Sequence, residues 1–575
     1  MIFIVASNLF AIYPAQIIRE AFDEVKYYLV HNSISDTSFL QKFYHFNSFG
    51  SLLLAFGILV IVLALLKGLF TFLTRQTIIV MSRKIEYDLK NEIFAHYQDL
   101  DLLFYKQNNT GDLMNRISED VSKVRMYLGP GIMYSINLIV LFALVITTML
   151  SINVKLTMYV LTPLPILSVL IYIVSNRINK QSMRVQKQQS GLSTLAQETF
   201  SGIRVLKSFR KEEMINEKME NDSNAYKNLM MDLVKTQALF QPLMILLIGL
   251  STILTIYIGG KEAIAGNITV GNIAEFVIYV NMLTWPVTAI GWVTSIIQRA
   301  AASQERINEF LNTKPNIVNP TNKPFHFNGK ITFNNVSFTY PDSGIQALKN
   351  ITFNVDKGET LAIIGRTGSG KSTLANLIMR MYDADSGEIL IDNKPITKIN
   401  LFDYRASAGV VPQEVFLFSD TIANNIAFGC TEFIPTQEQI EQAAKDACVY
   451  DNIMQFPDKF NTMLGERGVN LSGGQKQRIG IARAIIKNPA LLLFDDCLSA
   501  VDTETEEQIL HNLTRIMEGK TSIIISHRIS SIKNADKIIV LENGEIVEQG
   551  THQELLAARK QYFELFQKQM NDESY

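Results

Sequence analysis

Six mostly apolar runs, each close to a bilayer in length, occupy the first 300 positions and restrict this chain more than any other feature. A spanning helix needs roughly 20 such residues. The runs are GSLLLAFGILVIVLALL within 49–74, PGIMYSINLIVLFALVITTML at 130–150, LTMYVLTPLPILSVLIYIVS at 156–175, ALFQPLMILLIGLSTILTIYI at 238–258 and IAEFVIYVNMLTWPVTAIGWVTSII at 273–297, with Glu275 near one end of the last. The sixth is the shorter N-terminal MIFIVASNLFAIYPAQII, which lacks the basic start and small-residue cleavage site of a signal peptide. So many uncharged runs in series exceed what a soluble core receives. The expectation is a multi-pass membrane protein.

Lysine and arginine set its orientation. The segment 75–128 carries eight of them and 177–235 carries eleven, whereas the loops 151–155 and 259–272 carry one each, Lys155 and Lys261. Both long segments, the N-terminus and the C-terminal part are therefore expected on the cytoplasmic side, in a bacterial inner (plasma) membrane. Each long segment reads as a helical hairpin. At 1.5 Å per residue, about 25 residues project roughly 35 Å from the bilayer. The tips fall near LLFYKQNNTGDL (102–113) and TFSGIRVLKSFR (199–210), and a soluble domain is the natural thing for them to touch. Lys67 lies near the cytoplasmic end of its run, where a lysine can snorkel to the interface. Pro286 is expected to kink the last span; Trp285 and Trp292 fit either a cavity lining or a lipid-facing surface.

Beyond the spans the composition changes to that of a soluble α/β domain. PNIVNPTNKP (315–324) has the Pro and Asn content of a linker. The expected division is an all-α transmembrane domain of six long helices over 1–312, a linker over 313–328 and an α/β P-loop NTPase domain over 329–575. A net charge of −2 gives no electrostatic case for nucleic acid. Cys430, Cys448 and Cys497 have no metal-ligand spacing and read as reduced thiols.

Chemistry enters at LAIIGRTGSGKSTLANLI (361–378). It contains G-x-x-x-x-G-K-S from Gly365 to Ser372, behind an apolar strand and ahead of a helical pattern. Backbone N–H groups of Arg366, Thr367, Gly368, Ser369 and Gly370 can curl around phosphate oxygens at a helix N-terminus, with Thr373 just beyond. Lys371 would reach the β- and γ-phosphates of ATP, and the Ser372 hydroxyl would ligate Mg²⁺. The strand LLLF (491–494) delivers Asp495 as a second Mg²⁺ contact. Between these motifs, NLSGGQKQRIGIARAII (470–486) opens a basic helix. Ser472 is its expected N-cap, and Gly473, Gly474 and Gln475 form a second anion site. Two phosphate-sized cradles in one chain suggest that one serves a nucleotide held by another copy.

The LSGGQ motif behind a phosphate loop, on a chain with six preceding spans, resembles the ATP-binding cassette exporters over nearly its whole length. The likeness is to a type IV half-transporter of the multidrug or lipid exporter kind. It implies that Tyr340 in VSFTYPD stacks on adenine and that Gln413 in VVPQEVFLF contacts Mg²⁺ and water. It implies that Glu466 in LGERG lies near the intracellular loops and that Ser499 to Asp502 pass between two cassettes. His527 in IISHR would hold the γ-phosphate. TGDLMNRISEDV (110–121) and ETFSGIRVLKSF (198–209) resemble the two intracellular loops with their coupling helices. Such exporters usually begin with an amphipathic helix and a longer first span, so a shortened or truncated start is expected here.

Asp496 stands where the strand's second carboxylate, normally Glu, serves the attacking water. Asp is one methylene shorter, which withdraws its oxygen by roughly 1.5 Å. A misplacement on that scale can cost on the order of 10²-fold in rate. Two arrangements fit: one subunit of a heterodimer with a slow site, or a homodimer slow at both sites. In either, ATP binding would close two cassettes and drive efflux or flipping of a hydrophobic or amphipathic drug- or lipid-like substrate. An ATP-gated channel should show a polar ring along its spans, and none is evident.

Overall fold

The computed structural model describes residues 1–35, 39–40, 42, 44, 46, 48–431, 433–465, 468, 470–497 and 503–573. The chain forms two compact units, Met1–Ala95 with Leu113–Thr313, and His96–Asp112 with Lys314–Tyr575.

The first unit is helical. Its elements are α1 (Ile2–His31), α2 (Phe49–Asp99, which ends in the second unit), α4 (Thr110–Ile152), α5 (Val154–Leu161), α6 (Pro163–Ser201), α7 (Ile203–Phe209), α8 (Glu212–Ile264) and α9 (Val270–Leu311). Among the described residues, five helices (α1, α2, α4, α8 and α9) are long and apolar enough to cross a membrane. The sixth expected run, 156–175, is divided between α5 and α6 at Thr162. Pro163 sits in the first turn of α6, where its missing N–H costs nothing but cannot continue the preceding helix. α9 runs through Pro286 as one helix.

Buried polar pairs tie these helices together. Glu275 of α9 is fully buried and accepts from Tyr279 Oη at 2.8 Å, with Arg19 of α1 at 3.5 Å. Asp120 of α4, also buried, accepts from Ser303 of α9 at 2.8 Å and faces Arg306 at 3.4 Å. These partners offset part of the desolvation cost of each buried carboxylate. At Gly129 a Cβ would lie 2.6 Å from Ser82 Oγ, so the close approach of α4 to α2 requires glycine.

The second unit is α/β. Six strands run in the order β10-β9-β3-β8-β7-β6: β3 (Thr360–Gly365), β6 (Ala408–Val411), β7 (Leu491–Asp495), β8 (Thr521–Ile525), β9 (Lys537–Glu542) and β10 (Glu545–Gly550). All adjacent pairs are parallel except β9 and β10. A smaller antiparallel sheet orders β2-β1-β4-β5, from β1 (Ile331–Thr339), β2 (Gln346–Val355), β4 (Ser386–Ile391) and β5 (Lys394–Pro395). The central strands β3, β7 and β8 are apolar on both faces, as a covered parallel sheet requires. The three cysteines are free thiols.

The segment read as a linker is packed on this unit. Leu401 N donates to Asn319 Oδ1 at 2.9 Å, and Phe325 N to Asp403 Oδ2 at 2.8 Å. The first hairpin tip, read with the membrane half, belongs here too. Asp101 caps α3 (Leu102–Gln107) and accepts from Asn316 N at 2.8 Å, while Leu103 packs on the apolar core.

Candidate functional site

Strand β3 ends at Gly365 and α10 (Lys371–Ile378) begins six residues later, so the phosphate loop turns at the carboxyl edge of the parallel sheet. Two glycines make that turn possible. Gly370 has φ 102°, and a Cβ on it would meet the Ala347 carbonyl at 2.5 Å. A Cβ on Gly365 would meet the Leu541 carbonyl at 2.2 Å. Arg366, Thr367 and Gly368 are exposed along the loop, whereas Ser369 is buried and its Oγ has no hydrogen-bond partner among the described residues. An orphaned buried hydroxyl costs about 1–3 kcal/mol, and a phosphate oxygen in the loop would satisfy it.

Lys371 is buried, and its Nζ donates to the Gly365 and Arg366 carbonyls at 2.9 Å each. Ser372 Oγ donates to Asp495 Oδ1 at 3.1 Å. Thr373 Oγ1 and Tyr340 Oη are 3.0 Å apart, which joins the expected adenine platform to the first turn of α10.

The adjacent strands β7 and β8 bring the remaining chemistry alongside. Asp495 pairs in register with Ile525, and Asp496 N donates to the Ile525 carbonyl at 2.8 Å. His527 follows two residues after β8 ends. Charge shifts place these groups in one neighbourhood. Burial pushes the Asp495 carboxyl up, and Asp496 adds to it, against the Ser372 hydroxyl, Lys371 and His527. Burial pushes the Lys371 ammonium down, against both aspartates. Burial and then Lys371 push the His527 imidazole down, so it is held neutral. Asp496 is 9% exposed and sits at φ 46°, in the left-handed region.

Gln413 lies just after β6, whose partner is β7, but it is exposed, and among the described residues no hydrogen bond joins it to Ser372 or Asp495. Ser472 is the N-cap of α11 (Gly473–Ile485). Its Oγ accepts from Gln475 N at 3.3 Å, and its own N–H donates to Gln475 Oε1 at 3.0 Å. Gly473 is exposed and Gly474 buried, and among the described residues no hydrogen bond links this turn to the phosphate loop. Glu466 and Ser499 to Asp502 lie outside the described residues.

Two neighbours of the site were not read from the sequence. Lys106 Nζ of α3 lies 4.6 Å from the centroid of the Tyr340 ring and 5.3 Å from that of Tyr382. Its position in the hairpin tip was the available signal. Gln569, on α12 (Gln561–Glu573), grips the strand end that carries His527: its Nε2 donates to the His527 carbonyl at 2.6 Å, and its Oε1 accepts from Ile529 N at 2.8 Å. Gln569→Ala is expected to lower ATP turnover several-fold with little change in KM for ATP. A change confined to KM, or none, would show that the amide only staples α12.

A phosphate loop behind a parallel strand, with a hydroxyl and a carboxylate paired beside it and a neutral histidine next door, defines a nucleoside triphosphatase. Joined to a unit of membrane-length helices, it defines a transport ATPase. Residues 3–287 match the ABC transporter transmembrane region and residues 348–499 the ABC transporter family. The chain is 35% identical over 527 residues to the multidrug resistance-like ATP-binding protein MdlA of Escherichia coli K12, covering 91% of this chain and 88% of that one. It is 36% identical over 514 residues to the ATP-dependent lipid A-core flippase of Pseudomonas fluorescens Pf0-1, covering 89% and 85%. The solved structure of a bacterial Atm1-family ABC exporter with ATP bound superposes with a TM-score of 0.78 at 26% identity, over 99% of this chain and 98% of that one. The chain belongs to the ABC exporters, as a half-transporter with its membrane region and its ATPase in one polypeptide.

Proposed function

We propose that two half-transporters of this kind close ATP between them and use its binding and hydrolysis to export or flip a hydrophobic or amphipathic substrate. The observation that carries this is the split between the two anion cradles. The phosphate loop and the Ser472–Gln475 turn share no hydrogen bond among the described residues, although each offers N–H groups to phosphate. Nucleotide held by one chain's loop would be covered by the other chain's turn, giving a two-fold or pseudo-two-fold dimer. Tyr340 would stack on the base. Residues 366–373 would bind the phosphates, and Ser372, Asp495 and Gln413 would hold Mg²⁺, which screens phosphate charge when bound. Asp496 would orient water, and neutral His527 would donate to the γ-phosphate.

The second hairpin tip also calls for a partner. Phe200 and Phe209 are 74% and 71% exposed on this chain, which leaves apolar rings for another subunit to cover. Closure driven by nucleotide would reach the membrane helices through such tips and switch them between inward- and outward-facing forms. The membrane is the bacterial inner membrane in this reading.

Asp496 favours pairing with a different half-transporter, so that the site on this phosphate loop is the slow one. The otherwise intact set of Tyr340, Lys371, Ser372, Asp495 and His527 favours the second reading, a slow homodimer. Mass spectrometry of the complex purified from its native membrane separates them: a single species of twice 64.9 kDa excludes the obligate heterodimer.

A further inference from the structure

The segment that carries His527 has no regular structure to hold it. It runs from the end of β8 at Ile525 to the start of β9 at Lys537. Ser526 N donates to the Ile363 carbonyl at 3.2 Å, and the next backbone bonds join the Ile529 carbonyl to the N–H groups of Ile532 and Lys533 at 3.0 Å. Between them, among the described residues, neither His527 nor Arg528 makes a backbone–backbone hydrogen bond. Their placement therefore falls to side chains from two other helices. Gln569 of α12 is the first.

The second is Glu506, on the helix Thr503–Met517. It is 3% exposed and lies in line with the buried Ile509, Leu513 and Met517. The i, i+3, i+7, i+11 spacing is the core-facing stripe of a helix, so Glu506 stands where the pattern calls for an apolar residue. A carboxylate buried there is costly unless it is paired. Both of its oxygens are. Oε2 accepts from Arg528 Nη1, and Oε1 accepts from Ser531 Oγ at 2.5 Å. Arg528 N donates to Ser526 Oγ at 3.0 Å, so the turn on both sides of His527 is fixed by side chains. A buried ion pair stabilises no better than well-packed apolar groups of the same volume. What this pair adds is a defined position for the turn.

We infer that Glu506 is a positioning residue for His527: it holds the turn 526–531 so that the imidazole meets the γ-phosphate, and it touches no nucleotide itself. The inference rests on the reading of His527 as a γ-phosphate donor and names the group that aims it. Gln569 fixes the His527 carbonyl and the Ile529 N–H, whereas Glu506 fixes Arg528 and Ser531. Glu506 also lies on the helix that follows β7 and Asp496 in the chain. A shift of that helix would move the aim of His527, and a misplacement of about 1 Å can cost on the order of 10²-fold in rate.

Affinity for the γ-phosphate alone separates aiming from general support. Single full-length chains in nanodiscs, with Mg²⁺, are titrated with AMP-PNP, whose γ-phosphate resists hydrolysis, and with ADP, each against a fluorescent nucleotide. His527→Ala is expected to lower the preference for AMP-PNP over ADP about tenfold, and Glu506→Gln about fivefold, as loss or misplacement of a donor to a charged group should. Affinity for ADP is expected to stay within about twofold in both. The double variant is expected to match His527→Ala, because an aiming group has nothing to add once its target is gone. An unchanged preference in Glu506→Gln, or equal loss for both nucleotides, overturns the inference, as does a further loss in the double variant. Should Glu506→Gln fail to fold, Ser531→Ala carries the same test: a several-fold loss of preference at constant ADP affinity supports the inference, and an unchanged preference overturns it. Loss of preference in His527→Ala alone sinks only the role of Glu506. An unchanged preference in His527→Ala sinks the reading of the histidine, and this inference with it.

Discussion

Lys371→Ala is expected to cut ATP turnover by about 100-fold or more and to abolish transport. Loss of a single positioned donor to developing negative charge commonly costs about 10²–10³ in rate. Lys371 is the buried cation of the loop. It is buried, bound to the carbonyls of Gly365 and Arg366 at 2.9 Å, and within the field of Asp495 and Asp496. Burial lowers its ammonium's proton affinity, so in the absence of nucleotide the charge is an unfavourable guest. Negative phosphates reverse that balance, and the ammonium can leave the two carbonyls for them. The variant should therefore fold normally and fail at nucleotide. Turnover by colorimetric phosphate release and melting by intrinsic fluorescence measure the two halves of this statement. Full turnover in a folded Lys371→Ala protein would refute the assigned engine.

Asp496→Glu is expected to raise turnover on the order of tenfold or more, and at the same time to make the ATPase less stable. The gain comes from reach: the added methylene carries the carboxylate roughly 1.5 Å further toward the water, on a coordinate where such distances can cost on the order of 10²-fold. The loss comes from the backbone. Asp496 holds φ 46°, a conformation that costs most L-residues about 1–2 kcal/mol and that short Asp and Asn side chains tolerate best. A penalty of about 1 kcal/mol in a unit of this size lowers Tm by about 2–4 °C. A shorter carboxylate thus has a structural rationale at this position as well as a catalytic cost. Unchanged turnover in a stable Asp496→Glu protein would mean that reach does not limit the reaction.

The parts of the molecule that are legible in the sequence are those specified within a few neighbouring residues. The phosphate loop needs glycines at fixed offsets, and the structure gives Gly365 and Gly370 the close carbonyl approaches that exclude any side chain. Ser472 and Gln475 announce a helix start three residues apart and form it as a capping box. The break at Thr162 was also available, since Pro163 and Pro165 interrupt their apolar run, but the hydropathy of 156–175 masks it. Features assembled from distant segments are not legible. Gln569 reaches His527 across 42 residues through the packing of α12, with no motif to mark it. Lys67 reads as a snorkelling residue because depth is all a sequence offers. In the fold it lines a cavity whose other walls come from α1, α4 and α9. Asp496 combines a left-handed backbone with a hydrogen bond to Ile525 on the next strand, and nothing adjacent in the chain foretells either.

In the proposed dimer, the phosphate loop and the signature turn of one chain serve two different nucleotides. Nanodiscs loaded with a single chain each, compared with discs holding the native pair at equal chain concentration, test it directly through ATP turnover per chain. Turnover in single-chain discs is expected to fall to background and to return when two chains share a disc. Undiminished turnover per chain in discs that hold only one would contradict it.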